Sequence, residues 1–406
     1  MINSVGGVSD GMMTSGLVAD IAAQYQPNPS SISVTVNFGQ IRVQSVDLDV
    51  VVENLERDSV ANSQPALVDV IGIIPQRCYH NPTAKGLAYA LRDFSLYGLI
   101  VAALIFTDTW WILVPLWLIA GLAVSGLFVL GHDASHGALF RSRRLNRAVA
   151  RVAMLPAAHF EEAWDLGHNR VHHGHTVKQG MDFVWHPITL AEWDAMPRWQ
   201  RLRHKVEWSV IGAGFYYGRQ VWWNKMMMFA APEKWAKKIN RGRIQMLVTL
   251  VFAAAVIGLV GWLRQDTLAS AAWTWVKVAF VPWILFIWII GYAVYVHHIG
   301  EDIRWYPRRT WTKFRGQMEG TTILRTPRLL NIFFHHIFVH VPHHVDMRIP
   351  FYELPAAARA IKAAYPNVVR ERQMSFRHYF RTTKHCKLYD FERGMWLPLP
   401  TSVRSR

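Results

Sequence analysis

From Leu96 to Leu130 the chain runs thirty-five residues with one carboxylate, Asp108, and no basic residue. Such a run is too long for a strand and too apolar for the surface of a soluble helix. Crossing a hydrocarbon core of roughly 30 Å at about 1.5 Å per residue takes about 20 residues, so the run makes two passes with a tight turn near Asp108 to Trp111. The first pass is short, and starting it near Phe94 with Arg92 and Asp93 at the interface relieves the shortage. The pattern recurs from Met246 to Trp262 and from Val278 to Val296, with Arg264, Asp266 and Lys277 between or at the edges. The fold expected is an all-α integral membrane protein with four transmembrane helices, about 94–110, 112–130, 246–262 and 278–296, in two hairpins. Trp110, Trp111, Trp262, Trp273 and Trp275 then fall at the outer interface, where amphipathic rings are favoured.

Charge sets the orientation. Lys plus Arg number 44 against 28 Asp plus Glu, a formal balance of +16, while 51% of the chain is hydrophobic. Between Arg141 and Arg243 there are 18 basic against 8 acidic residues, and from His297 to the end 19 against 8. The outer turns carry almost none of this excess, so the inter-hairpin loop and both termini are expected on the cytoplasmic side of a membrane such as the bacterial inner membrane. Anionic lipid or an acidic protein accounts for the basic surface without nucleic acid. Residues 1–72 form an N-terminal extension, partly flexible, with no basic apolar leader and one alternating stretch, Ser33 to Phe38, that could pair as a strand. Residues 73–350 carry the membrane domain, and 351–406 a basic cytoplasmic segment.

The histidines carry the chemistry. Of 19, thirteen fall in four short windows: H132-D-A-S-H136, H168-N-R-V-H172-H173-G-H175, H297-H298 and H335-H336-I-F-V-H340-V-P-H343-H344. A lone histidine is more often packed or capping than a ligand, but the first and third windows begin at the inner ends of the second and fourth passes, and the others lie in the two inner segments. All four therefore reach one membrane face. His132 with His136, His168 with His172 and His336 with His340 stand four apart on one helix face. Adjacent pairs such as His172 and His173, or His343 and His344, splay by about 100° and can serve two neighbouring ions. Imidazole ligation leaves iron, zinc and copper open. A greasy site mouth points to attack on an unactivated C–H bond, which needs a redox metal and dioxygen. A metal transporter would instead place His, Asp or Glu at mid-membrane, where these runs have essentially none.

The boxes also carry a likeness. His132 and His136 in GHDASHG, and His340, His343 and His344 in HVPHH, resemble the first and third histidine boxes of the integral-membrane fatty acid desaturases, particularly the acyl-lipid omega-6 (delta-12) and omega-3 group. The second box, His168 to His173, is one residue longer than that group's usual spacing. Similarity extends to I73-I-P-Q-R-C, the Arg92-Asp93 pair, V294-Y-V-H-H-I-G to W305-Y306, and G316-Q-M-E-G-T-T322, covering about 73–350 in order.

The resemblance implies a cytoplasmic helical cap over four helices holding two iron ions, with O2 as co-substrate. Its ligands would be His132, His136, His168, His172, His173, His340, His343 and His344 with one of His297 or His298. Asp133, His175, Asn331 and His335 are candidates to support them: Asp133 by fixing an imidazole's tautomer, or merely by balancing nearby arginines, and Asn331 as polar lining or a helix cap. His159, Glu161 and Glu162 are read as structural, and Asp182, Glu301 and Asp302 are left unassigned. The implied reaction places a cis double bond in a long-chain acyl lipid, most simply at the omega-6 or delta-12 position. An omega-3 desaturase, or a hydroxylase or ketolase acting on a lipid, alkane or carotenoid, uses the same kind of centre. With only Cys78 and Cys386 and no nucleotide- or haem-binding motif, electrons must come from a separate ferredoxin or haem carrier resembling cytochrome b5, docked on the basic face.

Overall fold

A computed structural model describes residues 65–400, together with the short antiparallel pairing of Asn37–Phe38 with Ile41–Arg42. Of the alternating stretch from Ser33 only its last two residues belong to that pairing; the remainder, like most of 1–64 and 401–406, lies outside the described residues. The chain divides into the unit Met1–Asn62 and a larger unit beginning at Ser63. The larger unit thus starts ahead of Ile73, because a helix at Leu67–Gly72 buries Val70 against Cys78, Leu354 and Ile361.

Among the described residues four helices are long and apolar enough to cross a membrane: α1 (Thr83–Phe106), α2 (Trp110–Ser135), and, after the intervening cap segments, Glu233–Gln265 and Leu268–His298. The protein is mostly helical, and its described strands are pairs of two or three residues. The last three spanning helices overrun the bounds expected from hydropathy at both ends; α1 starts earlier than expected, at Thr83, and stops at Phe106, short of 110. Hydropathy falls where polar side chains enter, but the helix continues, because the polar groups are satisfied by neighbours rather than by solvent. Thus Arg92 and Asp93, expected at an interface before the first pass, lie within α1, and Asp93 is buried. The turn between α1 and α2 is Thr107–Thr109.

Between α2 and Glu233 the chain forms α3 (Arg143–Ala153), a helical stretch α4 (161–175), α5 (Arg198–Glu207) and α6 (213–227). Much of α4 and α6 has π-helical winding, over Asp165–His172 and Tyr217–Met227. Wide turns of this kind shift the side-chain phase and recur at functional sites. The other two spans are α7 (Glu233–Gln265) and α8 (Leu268–His298), followed by α9 (His340–Val345), α10 (Leu354–Ala364) and α11 (Phe376–His385).

Small residues let these layers meet. A Cβ on Gly291 of α8 would stand 2.3 Å from the Ala213 carbonyl, and one on Gly214 would stand 2.2 Å from Trp288, so α6 lies directly on α8. At the opposite end of the spans, Lys277 is fully buried, and its Nζ donates to the Asp108 carboxylate at 2.6 Å and the Thr107 carbonyl at 2.8 Å. Trp273 also donates to Asp108, and Trp110, Trp117 and Trp273 pack ring against ring beside it, with Trp110 and Trp111 exposed. This clamp ties the α1–α2 turn to α8.

Candidate metal centre

The last turns of α2 and α8, the π-helical stretch of α4 and the short α9 converge at one place. His132, His136, His168, His173 and His343 each turn a ring nitrogen to a common point, these atoms lying within 4.8 Å of one another. His172, His298 and His344 form a second group by the same measure. Adjacent histidines divide between the groups: His173 and His343 face the first, His172 and His344 the second. His340 adjoins the second group, its Nε2 being 3.1 Å from that of His344, and His297 stacks on His340 with ring centroids 3.8 Å apart. The ten histidines that the resemblance offers as ligands are thereby brought together, whereas His336, which spacing sets on one face with His340, belongs to neither group.

The rings of the second group are oriented by their far nitrogens. Nδ1 of His172 faces Asp182 Oδ1 at 3.0 Å, that of His344 faces Gln317 Oε1 at 2.9 Å, that of His298 the Gly320 carbonyl at 3.0 Å, and that of His340 the Ile337 carbonyl at 3.0 Å. With protons on those Nδ1 atoms, each Nε2 is a bare acceptor. Asp182 also accepts from the Val177 and Val184 amides, and Gln317 donates to the His173 carbonyl. Burial alone would raise the Asp182 carboxyl, but His172, by charge and hydrogen bond, brings it below its ordinary value.

The donor set fits metal ions. Both ring nitrogens of His136 and His343, Nδ1 of His132 and His173, and Nε2 of His297 are buried without a hydrogen-bonding partner among the described residues. Nε2 of His168 lies 2.9 Å from that of His132 and 3.1 Å from that of His173. Two nitrogens about 2.1 Å from a shared ion and at right angles stand about 3 Å apart. Burial, reinforced by neighbouring imidazoles, holds His136, His168, His173, His340, His343 and His344 well below the ordinary imidazole range, so they are neutral and available as ligands.

The four candidate supporting residues lie elsewhere. Asp133 is buried, yet its carboxylate accepts from the Phe351 amide at 2.6 Å and stands 3.6 Å from His132 Nδ1, beyond hydrogen-bonding reach, so it ties α2 to the Phe351 turn. His335 pairs with Asp93 of α1 at 2.8 Å, and Asn331 accepts from the Thr326 hydroxyl at 3.0 Å. His175 packs near Trp311 and belongs to neither group. Asp182 and Gln317, to which no role was assigned from sequence, are side chains that do meet the imidazoles, as does the Thr176 hydroxyl, 3.2 Å from His344 Nδ1. Gln317 stands in the GQMEGTT segment, whose likeness to the desaturases was its one signal.

A cavity opens onto the histidines between α2, α4, α6 and α8. Its walls include Phe128, Trp164, Val221 and Ile290, together with His132, His168, His172, His297, His298 and His340. His159, fully buried, backs this wall by pairing Nε2 with the Tyr217 hydroxyl at 3.0 Å and stacking edge-on to Phe128.

Comparison with known proteins places this arrangement. The family model for fatty acid desaturases matches residues 108–376. An sn-1 oleoyl-lipid 12-desaturase of Synechocystis is 27% identical over 329 residues, covering 81% of this chain and 90% of the relative. An sn-1 acyl-lipid omega-3 desaturase (ferredoxin) of Nostoc is 28% identical, covering 73% of this chain and 80% of its own. The chloroplastic omega-6 fatty acid desaturase of Glycine max is 26% identical, covering 81% and 74%. With four helices suited to a membrane, paired histidine groups and a family match over most of its length, the chain belongs to the fatty acid desaturase family and is an oxidoreductase of the membrane.

Proposed function

We propose that the protein is a di-iron, dioxygen-dependent desaturase that places a cis double bond in a long-chain acyl group, most simply at the omega-6 or delta-12 position of an acyl lipid. The observation that carries this reading is the apolar cavity lined in part by six of the convergent histidines. One iron would be held by His132, His136, His168, His173 and His343, the other by His172, His298 and His344, with His340 and His297 beside them. When bound, the irons supply the oxidising power that removes hydrogen from two neighbouring methylenes, with dioxygen as acceptor and electrons from a separate carrier.

The chain's own part is placement and exclusion of water. Phe128, Trp164 and Ile290 shape a passage that suits an extended acyl chain, and burial of each methylene is worth roughly 0.8 kcal/mol. Fixing one methylene against the histidine wall is what sets regiochemistry, since orientation lowers a barrier by several kcal/mol. The basic excess of the histidine-bearing segments supports a cytoplasmic site and an acidic electron carrier, and the Nostoc relative's name supports ferredoxin.

The test is expression in a host whose lipids are mainly monounsaturated, with a ferredoxin and its reductase supplied, followed by chromatography and double-bond mapping. Diunsaturated chains with the new bond at the omega-6 position are expected; unchanged fatty acids with a working donor would overturn the reading. The omega-3 relative favours one second reading, that the new bond lies at omega-3. Product mass separates either outcome from hydroxylation, one product being two hydrogens lighter and the other one oxygen heavier.

A further inference from the structure

We propose that the acyl lipid enters with a phosphate-bearing head group, a glycerophospholipid, seated in a polar vestibule on Arg203 and Lys225. This deepens the acyl-lipid reading and rests on it. A second cavity adjoins the apolar one, lined by Gln200, Arg203, Glu207, Arg219, Gln220 and Lys225, and both cavities share Phe183 and Lys225 as wall. An amphiphile with its tail against the histidines would therefore reach the vestibule with its head.

Charge decides what that head can be. Arg219 is committed to Glu207, which it meets with Nε and, at 2.8 Å, with Nη2, while its Nη1 donates to Gln220. Asp182, deeper in the wall, is buried and occupied by His172 and two backbone amides. Arg203 lies over the Trp199 ring at 5.0 Å and has no ion pair among the described residues; Lys225 has none either. Two uncompensated cations at the mouth of a passage for a neutral chain suit a phosphate ester, which offers several acceptor oxygens.

The rim identifies the source as the bilayer. Trp199, Leu202 and Val206 form one exposed apolar face of α5, and Trp223 on α6 and Met228 just past its end flank Lys225 with their side chains exposed. Aromatic and aliphatic side chains beside basic ones are the make-up of a helix lying in a membrane interface. A head group at that level stays attached to its leaflet while one acyl chain enters. A soluble thioester such as acyl-coenzyme A also carries phosphates but has no use for an apolar rim.

The experiment measures binding to the purified full chain without reductant, by quenching of intrinsic tryptophan fluorescence with brominated acyl chains. The lipids are phosphatidylglycerol and neutral monogalactosyldiacylglycerol with matched chains, with acyl-coenzyme A as a third arm. Phosphatidylglycerol is expected to bind about tenfold or more tightly than the galactolipid, the advantage shrinking with salt. Arg203→Gln and Lys225→Gln should each weaken phosphatidylglycerol about tenfold and raise its KM more than they lower kcat, with galactolipid binding unmoved. Arg203→Lys and Lys225→Arg should retain most of the affinity. Equal binding of both lipids, variants that weaken both alike, or tight binding of acyl-coenzyme A with none of phosphatidylglycerol would each overturn the assignment. Phosphate selectivity without any desaturation would count against the enzymatic reading and leave this site standing; normal desaturation with no head-group preference would do the reverse.

Discussion

Asp182 illustrates how a single carboxylate controls an imidazole without reaching the metal position. By accepting from His172 Nδ1 it turns Nε2 toward His298 and His344, and its other contacts to Val177 and Val184 keep it there. Asp182→Asn weakens that hold, and iron retained per chain at limiting free iron should fall by about ten- to a hundredfold in affinity, measured by metal analysis after dialysis, with helix content unchanged. Spacing made the histidines themselves legible, since residues four apart or adjacent have defined directions on a helix. Their orienters were not, because Gln317 and Gly320 meet His344 and His298 from a separate segment, marked by its likeness to the desaturases but by no spacing of its own. His335 shows the converse: its place near the third box made it a candidate, but its left-handed backbone, with φ 48°, aims it at Asp93. His159 gives a prediction in pH. Burial lowers it to about 4, opposed only by the Ala157 carbonyl, so the folded protein keeps it neutral where an unfolded chain would protonate it. The unfolded state binds the extra proton between the ordinary imidazole value and about 4, so this group's stability is complete above that window and lost as pH falls through it, by up to about 1.4 kcal/mol per pH unit. Thermal midpoints of wild type and His159→Phe, followed from neutral to pH 4, should converge or cross as acid is added.

Between elements, the governing feature is close approach. Gly291 and Gly214 allow α6 to lie against α8, which brings Tyr217 and Val221 to the cavity and Lys225 to its rim. Gly291→Val would force these helices apart; a loss of about 1–3 kcal/mol and a lowered melting midpoint in detergent are expected, with KM for the lipid rising. The spans themselves were legible from hydropathy because Leu96 to Leu130 has so few alternatives. Their inner ends were not. Asp93 in α1, and His132 and His298 in the last turns of α2 and α8, read as exits from the membrane, yet each is buried: Asp93 against His335, His132 among the other imidazoles and His298 on the Gly320 carbonyl. π-helical winding in α4 and α6 has no signature in apolar spacing.

For the molecule as a whole, the charge distribution predicts sidedness. Cys78 and Cys386 are buried, so introduced cysteines can be read against a low background. In intact cells, Asp266→Cys, in the turn between α7 and α8, should react with a membrane-impermeant maleimide from outside. Lys313→Cys, on the histidine side, should react only after permeabilisation. The reverse pattern would invert the orientation and with it the electron carrier's compartment. Both α2 and α8 run toward the histidines and stop there. The carbonyl end of an α-helix carries a partial negative charge, equivalent to about half an electron. Two such ends point at the imidazoles, so the peptide backbone adds its partial charge to that of the buried Asp182 carboxylate in offsetting whatever cations the nest holds.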